Sequence, residues 1–351
     1  MMKIMNKKYI LVGGLPRTGG SLIPFFLDGQ LNLKTIPFEQ HVSSIIGNIP
    51  RNKLFSRKVN VVLKNILRSS LLNKNSNISR IDKSKQIYDF NKDLYINEIK
   101  EFVKKEGSTK NYLYKTSQIW LKNRGVDVKD DLILNHSGRG FFYETEKLFN
   151  DLDIGYYLYT KRNFLDWYSS ITKSTNLLAL FNDKDFLSYS FDIWNISNEL
   201  AIYYAKKYQD KFLIIDYDDL ISQPLEKYEV ICNFLNLDYD KNFNLAPTYL
   251  GKNTSANSSF KEKKETSGKL IVTKNNEKLY DEATLEFIED LKNNYIKIDF
   301  NNLSESKKLY HKMFGAYFQY WGLLRNNDIK KISNKNLFLE LKNRFFTKFL
   351  K

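Results

Sequence analysis

The most chemically loaded stretch of the chain is Gly14-Leu-Pro-Arg-Thr-Gly19-Gly20-Ser21, directly after the apolar run Lys8–Gly13. Glycines at this density let a backbone turn tightly and expose consecutive N–H groups, which suit an anion. The spacing from Gly14 to Gly19 and the hydroxyl of Ser21 match the phosphate loop G-x-x-x-x-G-K-[ST] in its strand–loop–helix setting. Gly20 stands where that loop carries lysine. The cation that reaches the β and γ phosphates of a nucleoside triphosphate is therefore missing, and Arg17 supplies a cation earlier in the loop instead. The pattern predicts phosphate binding and argues against ordinary Mg-ATP hydrolysis.

A second constellation is Arg162, at the end of the apolar run Gly155–Thr160, with Ser170 eight residues later. An arginine at a strand end and a hydroxyl two turns into the next helix can converge on one phosphate. Two side chains have the chemistry of a general base. Glu39 lies in Ile36-Pro-Phe-Glu39, and His136 follows the run Leu132–Asn135. Imidazole titrates near neutrality, whereas a carboxylate needs local tuning for the same task. His41, beside Glu39, is a more remote third candidate. The ordinary alternatives are a hydrogen-bonded loop residue for His136 and a helix-start carboxylate for Glu39. One cysteine, Cys232, and three scattered histidines, His41, His136 and His311, exclude an internal disulfide and a Cys-rich or multi-His metal site. No metal is expected.

These residues need strands that end together. Lys8–Gly13, Asn32–Pro37, Leu132–Asn135, Gly155–Thr160 and Phe212–Tyr217 read as short strands. Ser21–Asp28, Asp89–Lys105, Phe142–Asn150, Phe164–Lys173 and Leu187–Tyr208 read as helices between them. Alternating strands and helices predict an α/β fold with a parallel sheet, whose ligands sit beyond the carboxyl ends of the strands. Between Arg51 and Lys85 apolar residues recur at helical spacing under a strongly basic outer face, the pattern of a helical insertion. Lys252–Lys269 reads as a polar loop, and a helical tail follows, including Ser306–Leu324 and the basic amphipathic end Asn336–Lys351. The expected organisation is one domain over 1–325, with an insertion at about 40–130, and a tail over 326–351.

Of the 351 residues 42% are hydrophobic and 15% aromatic, enough for a core and against wholesale disorder. There are 55 Lys and Arg against 40 Asp and Glu, a net charge of +15. That charge is local: ten basic residues face one acidic residue, Asp82, in Arg51–Lys85, and Asn327–Lys351 carries net +5. Such a surface suits a polyanion, and Tyr88, Phe90 and Tyr95 nearby could stack on bases. No recognised nucleic-acid module accompanies it, so no specific nucleic-acid partner is expected. Basic Met1–Lys8 followed by apolar Tyr9–Leu15 superficially resembles a signal peptide, but the apolar stretch is short and runs into Pro-Arg. No window approaches the roughly 20 apolar residues of a membrane span. A cytoplasmic protein is the expectation.

The loop is similar to the 5′-phosphosulfate loop of sulfotransferases that use 3′-phosphoadenosine 5′-phosphosulfate (PAPS), typically G-x-P-[KR]-[ST]-G-[ST]-[ST]. Gly14, Pro16, Arg17, Thr18, Gly19 and Ser21 fit, and Gly20 departs by replacing a hydroxyl residue. Arg162 and Ser170, with Asn163 and Asp166 between them, resemble the family's 3′-phosphate-binding pair; Phe164 stands where the family usually has proline. Phe212–Pro224 and the helical stretch Glu226–Leu237 resemble a further family segment that is mostly packing. Asn257-Ser258-Ser259-Phe260, with Lys252, resembles a late segment that closes over the cofactor. The likeness spans about Lys8–Phe260, with Glu39–Asp130 unmatched apart from its edges.

This resemblance implies a P-loop-like three-layer sandwich with a central parallel sheet, a helical insertion and a helical C-terminal tail. It implies in-line transfer of a sulfuryl group from PAPS to an acceptor hydroxyl, on a carbohydrate or another hydroxyl compound, without a metal. It places Pro16, Arg17, Thr18, Gly19, Gly20, Ser21, Leu22, Arg162, Ser170, Asn257 and Ser258 on the cofactor. Arg17 would stabilise the leaving phosphate oxygen, with Glu39 or His136 as base. The alternatives are a nucleotide kinase or related phosphotransferase, and a non-catalytic basic polyanion binder.

Overall fold

All six residues of β1 (Tyr9–Gly14) are buried. A strand without a polar face must be covered on both sides, which selects the interior of a parallel sheet. The computed structural model describes residues 9–39, 92–106, 112–128, 132–136, 145–174, 184–242, 248–249, 252–253 and 280–308. Alongside β1 run β2 (Leu33–Glu39), β3 (Leu132–His136), β4 (Tyr156–Lys161) and β5 (Phe212–Asp216). Their order is β2-β3-β1-β4-β5, and every adjacent pair is parallel. The carboxyl ends of all five strands therefore share one edge, with the glycine-rich loop leaving the central strand.

The helices of the described residues include, in chain order, α1 (Ile23–Phe26), α2 (Lys92–Glu106), α3 (Tyr112–Lys122), α4 (Thr145–Asp151), α5 (Phe164–Ser174), α6 (Lys184–Lys207), α7 (Tyr217–Ser222), α8 (Pro224–Leu235) and α9 (Glu282–Asn293). A two-stranded antiparallel ribbon, Thr248–Tyr249 with Lys252–Asn253, lies between α8 and α9 in sequence.

Side chains alternate across each strand and build two layers of helix around the sheet. On one face Ile10, Val12, Leu134, Leu158 and Ile215 join Leu22, Phe26, Leu220, Ile231 and Leu235 in one core. On the other face Tyr9 meets Ser117 of α3 and Tyr95 of α2. There Tyr157 and Tyr159 stack on Phe212, which Tyr204 also contacts. The result is a three-layer α/β sandwich with a parallel central sheet. Burying a large side chain of this kind contributes about 1.5–3 kcal/mol, and Trp120, Tyr95, Tyr157, Tyr159 and Tyr204 are all fully buried. Glu146 of α4 adds polar ties, accepting from the Tyr204 hydroxyl at 2.8 Å and from Lys207 Nζ at 3.1 Å. Cys232 packs inside the first core, where burial pushes its thiol up and leaves it a packing residue.

The chain forms two compact units: residues 1–161 with 203–272, and residues 162–202 with 273–351. The sheet belongs to the first. In the second, Phe164 of α5 packs its ring against Trp167, Phe191 and Trp194. The Tyr280 hydroxyl donates to the Leu165 carbonyl at 2.8 Å. Asp192 and Glu199 of α6 accept from the backbone N–H groups of Ile296 and Ile298 at 3.1 and 3.2 Å.

Several sequence expectations change in detail. The expected helix Ser21–Asp28 is a 3-10 turn, Gly20–Leu22, followed by the four residues of α1. Pro24 is accepted in its first turn, but left-handed Gly29 and Asn32 then redirect the chain into β2. The second strand runs two residues further than Pro37, to Glu39. Helices α3 and α9 fall within the expected helical insertion and helical tail, although neither was delimited in the sequence, and a short strand, Lys252–Asn253, replaces the start of the expected polar loop. The basic insertion 51–85 and the tail 326–351 lie outside the described residues.

Candidate functional site

The loop after β1 is fixed by contacts with its own backbone and with the neighbouring strand β4. Gly14 has φ +143°, and a Cβ there would stand 2.4 Å from the Thr160 carbonyl oxygen and 2.9 Å from Thr18 Oγ1. Thr18 is buried. Its hydroxyl lies 2.6 Å from the Leu15 carbonyl and 2.9 Å from Thr160 Oγ1, which in turn lies 3.1 Å from the Gly13 carbonyl. Two hydroxyl protons serve these three contacts, so two of them are hydrogen bonds at any instant. The loop is thereby tied to the end of β4. Thr160 is a residue that sequence reasoning missed; a lone hydroxyl at the end of the apolar run before Lys161-Arg162 was its only signal.

Beyond this tie the backbone alternates. Arg17 has φ +73° and Gly19 φ +92°, while Thr18 between them stays on the ordinary side. Alternation of this kind is the element from which anion-binding nests are built. A left-handed conformation costs a non-glycine residue roughly 1–2 kcal/mol, so Arg17 is held there by its surroundings. Its side chain is exposed, whereas Leu22 is packed into the core. Pro16 and Ser21 are half-buried. Gly19 is pressed by Tyr217, whose ring would lie 2.1 Å from a Cβ at that position. Tyr217 begins α7 directly after Asp216, which caps that helix by accepting from the Asp218 N–H at 3.0 Å. Asp216 also pairs with Lys161 across the ends of β5 and β4, at 3.6 Å.

The two candidate bases stand at the ends of neighbouring strands. His136 closes β3 and is half-buried; a Cβ on Gly20 would lie 2.8 Å from its Nε2 and 2.9 Å from its Cδ2. The imidazole therefore fills the space that any side chain at position 20 would need, a lysine included. On the other side, Glu39 of β2 is the register partner of His136. That pairing depends on an irregularity: Ile36 pairs with Asn135, and the next residue of β3 meets Glu39. Pro37, within the irregular step, has no N–H to give to a ladder. Bulged strands commonly re-aim residues beside functional sites.

Arg162 and Ser170 belong to the second unit. Arg162 is buried, and its carbonyl accepts from Trp194 Nε1 at 2.9 Å. Asn163 caps α5, its Oδ1 accepting from the Asp166 N–H at 2.9 Å. Ser170 is half-buried on α5, next to fully buried Ser169. His41, Asn257 and Ser258 lie outside the described residues. Among the described residues no group of three or more His, Cys, Asp and Glu side chains could hold a metal ion. Among them, too, no helix is long and apolar enough to cross a membrane.

No protein-family model matches the chain, and no curated protein matches it. Solved structures do. The chain is similar to the sulfotransferase domain from the curacin biosynthetic pathway, at 15% identity and a TM-score of 0.43, over 82% of this chain and 98% of that one. It is similar to the sulfotransferase domain of the Synechococcus PCC 7002 olefin synthase, at 13% identity and a TM-score of 0.38, over 86% and 94%. A sulfotransferase from Alicyclobacillus acidocaldarius matches at 11% identity and a TM-score of 0.38, over 67% and 85%.

Proposed function

We propose that this chain is a sulfotransferase that moves a sulfuryl group from PAPS to an acceptor hydroxyl, with a carbohydrate as the acceptor class and the cytoplasm as its place of action. The observation that carries this reading is the β1 loop. It combines a left-handed, exposed Arg17 with a glycine at position 20 whose side-chain space is taken by His136. A loop of this composition suits a phosphate, yet it has no room for the lysine of a triphosphate-hydrolysing loop while His136 stays in place.

The residues fit a nucleotide phosphosulfate. Gly14 and Gly19 occupy positions that a Cβ would obstruct, so the loop keeps its shape only with these residues. Pro16, Arg17, Thr18, Gly19, Gly20, Ser21 and Leu22 would form the cradle for the 5′ group. Arg162 and Ser170 are assigned to the 3′-phosphate from the sequence resemblance, as are Asn257 and Ser258 to the closing segment. PAPS would bring the activated sulfuryl group; the chain brings charge and position. Arg17 places a permanent cation where the leaving phosphate oxygen gains charge. Glu39 and His136, at adjacent strand ends, offer the acceptor proton a place to go.

The direct test is transfer of labelled sulfate from PAPS to a panel of glycans and lipids, with Arg17→Ala as control. Arg17→Ala is expected to lower kcat by about 100-fold or more, the loss typical for removing one donor to a developing oxyanion. Adenosine 3′,5′-bisphosphate at millimolar concentration is expected to raise the melting temperature, and Arg162→Ala to weaken that effect sharply. No stabilisation by this nucleotide would overturn the reading.

A further inference from the structure

Phosphate loops of the strand–loop–helix type set a side-chain cation directly after their last glycine. Here that position is Gly20, which has no side chain to offer. The space beside it is nevertheless filled, because His136 Nε2 lies 2.8 Å from where a Cβ would stand. The imidazole comes from β3, the strand adjacent to β1, with Val12 and His136 in register. Thr160 Oγ1, the other polar atom close to that point at 3.2 Å, is already committed to Gly13 and Thr18.

We propose that His136 is the missing side chain of the loop, supplied from the neighbouring strand, and that it donates from Nε2 to the 5′-phosphate of the nucleotide. This assignment rests on the function proposed above and sharpens one part of it. A ring nitrogen that donates to an anion cannot simultaneously accept a proton. The acceptor proton then falls to Glu39, the register partner of His136. His136 binds, and Glu39 acts as base.

The test compares two nucleotides on the full chain by calorimetric titration. Adenosine 3′-monophosphate lacks the 5′ group that adenosine 3′,5′-bisphosphate carries, so the ratio of their Kd values isolates the 5′-phosphate. His136→Phe keeps a ring and removes the donor, and is expected to reduce that ratio by about 10- to 100-fold, the range for a hydrogen bond to a charged group. His136→Gln keeps an amide donor and is expected to retain most of it. Combining Gly20→Ser with His136→Ala frees the space and offers a hydroxyl, so the double variant should bind the bisphosphate more tightly than His136→Ala alone. Equal ratios for wild type and His136→Phe, or additive effects in the double variant, overturn the assignment. A wild-type chain that binds neither nucleotide overturns the donor reading and this assignment with it.

Discussion

At the scale of single residues, conformational strain falls at Arg17, the residue proposed to stabilise the leaving group. A left-handed arginine is less stable than glycine in the same place, and its φ is +73°. Arg17→Gly is therefore expected to leave the fold intact or to stabilise it by up to about 1 kcal/mol, while transfer activity falls. Thermal melts and sulfate-transfer rates on the same preparation check both halves. Gly14→Ala should do the opposite to the fold, since its Cβ would stand 2.4 Å from a backbone oxygen. A cost of about 1–3 kcal/mol is expected in urea denaturation, the usual range for overpacking. Local signals made these positions legible: glycine spacing, an arginine and one apolar strand are all visible within a few residues. The contact of His136 with Gly20 was not, because it depends on β3 returning to lie beside β1 from a distant part of the chain.

At the scale of elements, the departures from expectation have physical causes. Phe164, where the resembling family has proline, opens α5 as the centre of an aromatic cluster with Trp167, Tyr168, Phe191 and Trp194. Phe164→Ala is expected to cost about 3–5 kcal/mol, measured by denaturant unfolding. The turn that places Arg162 is held by packing and by the Asn163 cap instead of by a proline ring. The end of β2 was misjudged because its last pairing follows an irregular step, and pairing across strands leaves no local trace. Helix α3 was readable: Tyr112, Leu113, Thr116, Trp120 and Leu121 are buried at helical spacing, but interleaved polar residues concealed the stripe. Asp192 of α6 illustrates how an element carries a pH dependence. Burial raises its carboxyl pKa above the ordinary 3.8, and the Ile296 N–H opposes that only in part. The native state then holds the proton more tightly than the unfolded chain does. Stability from this group is present at acid pH and is lost as pH rises from 3.8 through the raised value. Asp192→Asn should accordingly be more stable than wild type near neutrality, with the difference vanishing toward about pH 4; unfolding curves at the two pH values decide it.

At the scale of the whole chain, the fold class followed from alternation of strands and helices, which is a property of the entire sequence and survives errors at every boundary. The net charge of +15 is the other whole-chain property. It cannot name a ligand, but it makes a kinetic prediction for a donor carrying several negative charges. Association should slow as salt rises past the range where the Debye length is about 10 Å, while dissociation changes little. Stopped-flow binding of adenosine 3′,5′-bisphosphate at several ionic strengths measures this, and a salt-independent association rate would exclude steering. The tie between Thr18, Thr160 and Gly14 bears on the same kinetics. A loop ordered by the protein's own hydroxyls meets its ordering entropy during folding, so an incoming anion finds it already shaped. Binding should then be a single-exponential encounter. With Thr160→Val the loop would have to be shaped by the ligand, and a second, concentration-independent phase should appear.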